Sequence, residues 1–404
     1  MQFKRHFILA ACVAAFAAPL HAQTEITVGV LTDMSGLYSD FSGKGSVAAA
    51  QLAIDDFVAS HPDVKVDLVS ADHQNKPDIA AATAREWYDQ RGVDVIVDVT
   101  SSAAALAVSA ITAEKNKVFM ASNAATNSLT GDKCTPNTVH WTYDAWGLSH
   151  GTVGATLREG GDSWFLIVAD YAYGHNIREI AHKLIADNGG EVKGEVLHPL
   201  NSSDFSSFVL QAQSSGAKVV GLLNGGGDTI NSIKQAGEFG LVQGGQQLAA
   251  MAMFLTDVKA LGLEVAQGLT LTTWFYWDLN DKTRAFSQRF AEKMDGAMPT
   301  MGQAGDYSAT ILYLESALAA GSVDDGAAVV AAMRDKGTYE DDLFGETAVR
   351  IDGRATHPTY LARVKSPEES KGEWDFYEIV ATIPPAESNR TLEESKAAGC
   401  TLVP

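Results

Sequence analysis

Residues Val93–Thr130 read VDVIVDVTSSAAALAVSAITAEKNKVFMASNAATNSLT, and the fold class follows from how this stretch alternates. Val93 to Val99 is a short β-branched run of the kind buried on both faces of a parallel sheet, and it stops at Thr100, Ser101 and Ser102. Ala103 to Ala113 is helical in composition. Val118 to Ala121 opens another strand, which ends in Ser122, Asn123, Ala124, Ala125 and Thr126. Two neighbouring strands thus finish in small hydroxyl residues. In an open parallel sheet the carboxyl ends of the strands form the ligand crevice, and a helix that starts there offers free N–H groups and a positive dipole end, which suits a carboxylate. The same hydroxyls would equally serve as plain helix caps.

Outward from this unit the pattern repeats. Ile26 to Leu31 reads as a strand and Val47 to Val58 as a helix, with Gly36, Tyr38, Phe41 and Gly43 in the loop between them. Lys65 to Val69 is a second strand and Asp78 to Gln90 a second helix; His73, alone in the polar loop between them, reads as solvated. After His140–Trp146 a fresh series begins: strand Ser163–Ala169, loop DYAYG, helix Asn176–Asp187, strands Glu191–Leu197 and Ala217–Leu223, the turn NGGGD, and helix Thr229–Phe239. The second series echoes the first, so two similar α/β lobes with parallel sheets are expected. Helices are expected over Asp281–Met294, Gly305–Ala320 and Val329–Lys336, and Tyr360–Val364 with Trp374–Val380 as a terminal hairpin.

The first 22 residues have the make-up of a cleavable export signal: Lys4, Arg5 and His6, then the apolar run Phe7 to Ala18, then Leu20-His21-Ala22. Leu9-Ala10-Ala11-Cys12 looks like a lipobox, but the apolar run before it is too short for an h-region. Of the 404 residues 30 are basic and 50 acidic, and loss of Lys4 and Arg5 takes the net charge from −20 to −22. Such a surface repels nucleic acid and anionic lipid, so an anionic ligand would be held by local dipoles and hydroxyls. Cys134 and Cys400 survive cleavage at Ala22 and are most economically a pair in an oxidising compartment; two free thiols are the alternative.

The chemistry-bearing motifs are sparse. There is no G-x-S-x-G elbow, no H-E-x-x-H, no Walker A loop and no cysteine pair at metal spacing, and neither a metal nor a cofactor is expected. His140 and His150 flank Asp144 at a spacing that fits no motif. Gly225 to Gly227 match no phosphate loop and serve close approach or a sharp turn. Trp141, Trp146, Trp274 and Trp277 fall where the chain passes between lobes, either packing the hinge or walling a flat pocket. Tyr171 and Tyr173 stand at a strand's carboxyl end, and Asp306 and Tyr307 near the start of a helix.

The succession TVGVLTDMSG, VTSSAA, ASNAATNSLT, DYAYG and NGGGDT with IKQAGEFGL resembles the periplasmic solute-binding proteins of the branched-chain amino-acid type, which serve ABC importers. The likeness spans nearly the whole mature chain, and ASNAATNSLT is its most specific part. It implies an α/β fold of two Rossmann-like lobes joined by a three-segment hinge, a ligand closed between them, no catalysis, a monomer in the periplasm, and transient docking onto a membrane permease. The expected division is 1–22 signal peptide, 24–143 plus 275–345 first lobe, and 144–274 plus 346–404 second lobe.

Carried over by position, Ser101 and Ser102 match the family's hydroxyl loop, Ala124 and Thr126 the backbone and hydroxyl donors to the ligand carboxylate, Phe41 a capping aromatic, and Tyr173 the second lobe's pocket aromatic; Asn123 and Ala125 beside them are expected at the ligand as well. The amino-acid binders place an acid after the helix that corresponds to Thr229–Phe239. Here no acid occurs between Glu238 and Asp257, and Met251 and Met253 stand about where it would be. An ammonium buried without a countercharge costs several kcal/mol, a large part of the roughly 8 kcal/mol of a micromolar complex. The expected ligand is therefore a small carboxylate without an amine. Met251 and Met253 as a soft floor, with Tyr171, Tyr173 and the hinge tryptophans, favour an aromatic or extended hydrophobic acid, and the resemblance extends to the branch that takes benzoate and cinnamate derivatives; Trp274 and Tyr307 complete the expected ligand residues. Asp228 is either an ammonium partner by another route or a helix cap. An amino-acid or amide receptor is the second reading and an exported enzyme of similar fold the third.

Overall fold

In the computed structural model residues 24–404 are described; the expected signal segment and Cys12 lie outside them. The chain opens with β1 (Thr24–Thr32), α1 (Gly43–Ser60), β2 (Val64–Asp72), α2 (Pro77–Gln90), β3 (Val95–Asp98), α3 (Ser102–Lys115), β4 (Val118–Ala121) and β5 (Thr138–His140). These five strands form one parallel sheet in the order β2-β1-β3-β4-β5. Every residue of β3 is buried, as a central strand covered on both faces requires. Its side chains alternate: Ile96 joins Trp87 and Val108 under α2 and α3, while Val95 and Val97 join Phe57 and residues further along the chain.

A second unit follows: α4 (Ala145–Arg158), β6 (Ser163–Ala169), α5 (Ala172–Asp187), β7 (Glu191–His198), α6 (Ser206–Ser214), β8 (Val219–Leu223), α7 (Gly227–Glu238) and β9 (Gln247–Ala250). Its parallel sheet has the order β7-β6-β8-β9. In both sheets the first strand lies between the second and the third, so each has its strand-order switch at a matching place, β1/β3 and β6/β8. Ligands collect outside the carboxyl ends of strands at such points, and the two points face each other.

The remaining elements are shared out. Short α8 (Leu255–Leu261) and α9 (Leu263–Ala266) lead to β10 (Thr270–Thr273). After α10 (Asp281–Lys293) comes α11 (Met301–Ala320), whose Leu312, Tyr313 and Ala317 pack with Val95 and Val97 of the first sheet, and then α12 (Gly326–Asp335). A small antiparallel group, β11 (Tyr339–Asp341), β12 (Gly345–Val349) and β13 (Ala355–Thr356), stays with the first unit through Val349 and Ala355. The chain then returns as β14 (Thr359–Val364) and β15 (Tyr377–Ile383), an antiparallel hairpin beside β10. It ends in α13 (Pro385–Ser388) and α14 (Leu392–Ala397).

Two departures from the expected division stand out. Residues 345–356 pack on the first sheet, and the last turn is tied to the first unit by the Cys134–Cys400 disulfide, whose Cα atoms are 5.5 Å apart. The reason is the hinge chemistry. Buried Arg354 donates to the carbonyls of His140 (3.1 Å) and Thr142 (2.5 Å) and to Asn389 Oδ1 (2.7 Å), 3.6 Å from the Asp144 carboxylate, so the turn before β14 is bonded to the first crossover. His357 Nε2 adds a bond to the Trp141 carbonyl at 2.9 Å. A guanidinium fully out of water is tolerable only with such partners. Trp141 and Trp274 are buried at these crossovers, while Trp146 stacks on His150 and Trp277 donates to the Trp374 carbonyl: all four pack the hinge region. His73, expected in solvent, is buried, and burial pushes its imidazole down to about 4.

Candidate ligand cleft

The two switch points supply the cleft. From the first unit come Tyr38 and Phe41 after β1, Thr100 and Ser102 after β3, Asn123 and Ala125 after β4, and Tyr143 of the first crossover. From the second come Tyr171 and Tyr173 after β6, Gly225 after β8, and Ala252 and Phe254 after β9. The units are closed on one another. Tyr38 Oη donates to Tyr171 Oη at 2.6 Å, the rings of Phe41 and Phe254 stack 3.9 Å apart and 5° from parallel, and Asn127 N donates to Asn176 Oδ1 at 2.9 Å. The cavity left between them measures about 20 Å³, room for about one water. A ligand ring would have to part these side chains. Gly226 makes the closure possible: its φ is +57°, and a Cβ there would lie 2.6 Å from the Leu37 carbonyl oxygen across the cleft.

The floor is built for an anion at one end. Helix α3 begins at Ser102 with Ser101 as its cap residue, and no side chain caps it, so its first-turn N–H groups are free to meet a ligand. After β4, among the described residues, the backbone N–H groups of Ala124, Ala125 and Thr126 donate to no protein acceptor. Burial holds the phenols of Tyr38, Tyr143, Tyr171 and Tyr173 well above their ordinary value, so they remain neutral donors. Tyr173 Oη is buried without a partner, whereas Tyr143 Oη donates to the Asn123 carbonyl at 2.7 Å.

The expected site residues divide. Phe41, Ser102, Asn123, Ala125, Tyr171 and Tyr173 line the cleft. Ser101, Ala124 and Thr126 lie buried just behind it: the Ala124 carbonyl accepts from His140 Nε2 at 2.6 Å, and Thr126 Oγ1 accepts from Ser128 N at 3.3 Å. Met251 packs into the core shared with Tyr38 and Phe41, but Met253 turns to the other side of the second sheet, and Ala252 and Phe254 face the cleft in place of both. Residues two apart in a regular strand share a face, and the chain bends at Met251 and Ala252, which sets the two methionines on different sides. Trp274 is hinge packing beside Tyr143, 6.4 Å between rings. Tyr307 is carried by α11 to the outside, where its hydroxyl donates to Asp56 at 2.7 Å. Asp228 accepts the backbone N–H groups of Asn201 (3.1 Å) and Ser202 (2.9 Å) and so pins the loop after β7, while burial pushes its carboxyl up to about 6.

Sequence reasoning did not count Tyr38, Thr100, Tyr143, Gly225, Ala252 and Phe254 among the ligand residues, although the loops after successive strands could have nominated most of them. Nor did it connect two acids directly behind the floor, of which it noted Asp306 only as standing near the start of a helix. Thr100 Oγ1 donates to Asp98 Oδ1 at 3.3 Å, and Asn123 Nδ2 donates to Asp306 Oδ2 at 3.4 Å. Asp98 and Val99 both have positive φ, 81° and 57°. For non-glycine residues that costs roughly 1–3 kcal/mol each, and such strain gathers at ligand loops.

The sequence model of the periplasmic binding protein family matches residues 25–373, and the chain belongs to that family. It is similar to a periplasmic binding protein of Burkholderia mallei, with 45% identity, 94% of this chain and 99% of the other covered, and a TM-score of 0.89. It is also similar to a branched chain amino acid ABC transporter periplasmic ligand-binding protein of Burkholderia xenovorans LB400, with 42% identity, 94% and 100% covered, and a TM-score of 0.83. A solute-binding protein of an ABC transporter from R. palustris, in complex with benzoate, shares the fold at 19% identity, 89% and 96% covered, and a TM-score of 0.77. The chain is therefore a solute-binding protein of an ABC transporter, of the two-lobed periplasmic type, and not an enzyme. Among the described residues no helix is long and apolar enough to cross a membrane.

Proposed function

We propose that this receptor closes on a small carboxylate without an amine, an aromatic acid of benzoate or cinnamate type, and delivers it to a membrane permease as an exported monomer. One observation carries the reading: the cleft has free N–H groups and hydroxyls at the ends of β3 and β4, six aromatic rings around the rest of its wall, and no charged side chain among its lining residues. The carboxylate would lie at the start of α3, and the ring would part Phe41 from Phe254 and lie between them. Aromatic pairs of this kind contribute about 0.5–1.5 kcal/mol beyond the area they bury.

A branched-chain amino acid or amide is the second reading. Two observations favour it: the name of the B. xenovorans relative, and the buried acids behind Thr100 and Asn123, which offer a negative field that the sequence reading did not foresee. Calorimetric titration with benzoate, 4-hydroxybenzoate and cinnamate on one side and leucine and valine on the other separates them. Micromolar binding of an acid, with a smaller radius of gyration by X-ray scattering on saturation, is the expected result; binding of the amino acids alone overturns it.

A further inference from the structure

Asp98 at the end of β3 and Asp306 on α11 are both wholly buried, and the charge of Asp98 acts directly on Asp306. Ser46 of α1 stands against both carboxyls. Yet Ser46 Oγ, Ser122 Oγ, Asn123 Oδ1, Asp98 Oδ2 and Asp306 Oδ1 are buried without a well-formed hydrogen bond. Thr32, Ser46, Thr100 and Asn123 surround the Asp98 carboxyl and Ser46 and Ser122 that of Asp306, polar contacts that favour the charged forms and oppose the effect of burial. Among the described residues no Lys, Arg or His is bonded to either carboxyl. Of the other ionisable groups near it, Tyr143 feels both charges, and Asp33, the next acid along from β1, is occupied by the N–H groups of Gly36 and Tyr38. Two close carboxyls in a dry interior without a base cannot both ionise at neutral pH.

We propose that Asp98 and Asp306 share one proton behind the cleft floor and act as its charge selector: a ligand carboxylate settling at Thr100–Ser102 draws a second proton from bulk water into the pair, so capture of an acid is coupled to proton uptake. The position supports this. The pair is one hydrogen bond from the lining, through Thr100 on one carboxyl and Asn123 on the other, so a charge arriving at the floor acts on it across a region that excludes water. Burial raises the Asp98 carboxyl to about 6 against the hydrogen bonds it accepts, and burial together with the charge of Asp98 raises Asp306 further, which leaves the pair with one negative charge near neutrality and a proton site within reach. Its neutralisation removes the repulsion an anion would meet. By linkage, acid affinity then falls as pH rises through the window in which the free pair is ionised and the liganded pair is not.

This inference rests on the carboxylate reading, and the experiment keeps the two apart. Wild-type protein is titrated calorimetrically with benzoate and 4-hydroxybenzoate at pH 7.5 in buffers of different ionisation enthalpy, which counts protons, and again from pH 6 to pH 8. Uptake of at least half a proton per acid bound, with affinity falling about tenfold or more across that range, is expected. Asp306→Asn should still bind the acid but show a flat pH profile and uptake below a tenth of a proton; Asp98→Asn is the second variant. A role confined to structure would lower affinity at every pH and leave the proton count unchanged. Acid binding with no uptake by the wild type, or with full uptake by either variant, overturns the selector alone. Binding of leucine or valine but of neither acid overturns the carboxylate reading and the selector with it. If neither variant folds, the wild-type proton count decides.

Discussion

Replacement of Gly226 by alanine tests whether the closed arrangement is the binding form. An added Cβ would sit 2.6 Å from the Leu37 carbonyl oxygen, 3.2 Å from Tyr38 Cδ1 and 3.4 Å from Phe41 Cε1, all on the opposing lobe. An ordinary carbon contact lies near 3.5–4.0 Å, so the lobes would have to stand off by roughly 1 Å. That gap would stretch the 2.6 Å bond between Tyr38 and Tyr171 beyond useful length. A hydrogen bond of this kind is worth about 0.5–1.5 kcal/mol. Since a ligand held by both lobes favours the closed form, the loss appears as roughly a two- to tenfold weaker affinity. The residue's φ of +57° and ψ of −133° also suit glycine alone, so the unliganded variant should melt at a lower temperature whether open or closed. Calorimetry on the acid the wild type binds, with melting of the unliganded protein, reads the two effects separately. Gly227→Ala is the control, because its Cβ meets only the flexible Leu37 Cδ1 at 3.1 Å, and it should bind within about threefold of wild type. Affinity of Gly226→Ala within twofold of wild type would refute the argument.

Three further outcomes are expected. Ser102→Ala removes a hydroxyl that lines the cleft and should weaken acid binding about ten- to hundredfold, while Thr126→Val, behind the lining, should cost less than half as much in free energy; the reverse order in titration would move the carboxylate to the end of β4. Asp257 is buried with its carboxyl pushed up to about 7, above its unfolded value near 4, so its contribution to stability is complete at low pH and is lost as pH rises through 7. Asp257→Asn should therefore gain on wild type by roughly 1.4 kcal/mol per pH unit between pH 4 and pH 7, and parallel curves from denaturant unfolding would contradict this. Joint replacement of Cys134 and Cys400 by serine frees a loop closed across 266 residues and should cost up to about 5 kcal/mol, seen as a lower melting temperature; an unchanged midpoint would show that the link does not restrain the unfolded chain.

The pattern of β-branched runs ending in Thr, Ser, Asn and Gly was enough to find β1, β3, β4, β6 and β8, with the helices after β1, β3, β6 and β8, because a strand covered on both faces has no choice but a continuous apolar run. It found Ser102, Asn123, Ala125, Tyr171 and Tyr173 for the same local reason: they follow such strands. Strand β5, helix α4, helix α6 and strand β9 carried too little period to be seen, and the third crossover was placed too early because Arg354 ties residues 345–356 to the first unit through contacts made more than 200 residues away. Whether Met253 or Phe254 faced the cleft depended on the bends at Met251 and Ala252 after β9, which no periodicity along the chain reveals. The pairing of Asp98 with Asp306 depended on α11 crossing the first sheet. Local chemistry along the chain thus determined the class of fold and the type of group offered to a ligand. Which side chains meet, and which acids are driven together out of water, was decided by contacts between residues far apart in the chain, whose energies belong to the packed arrangement and not to any segment of it.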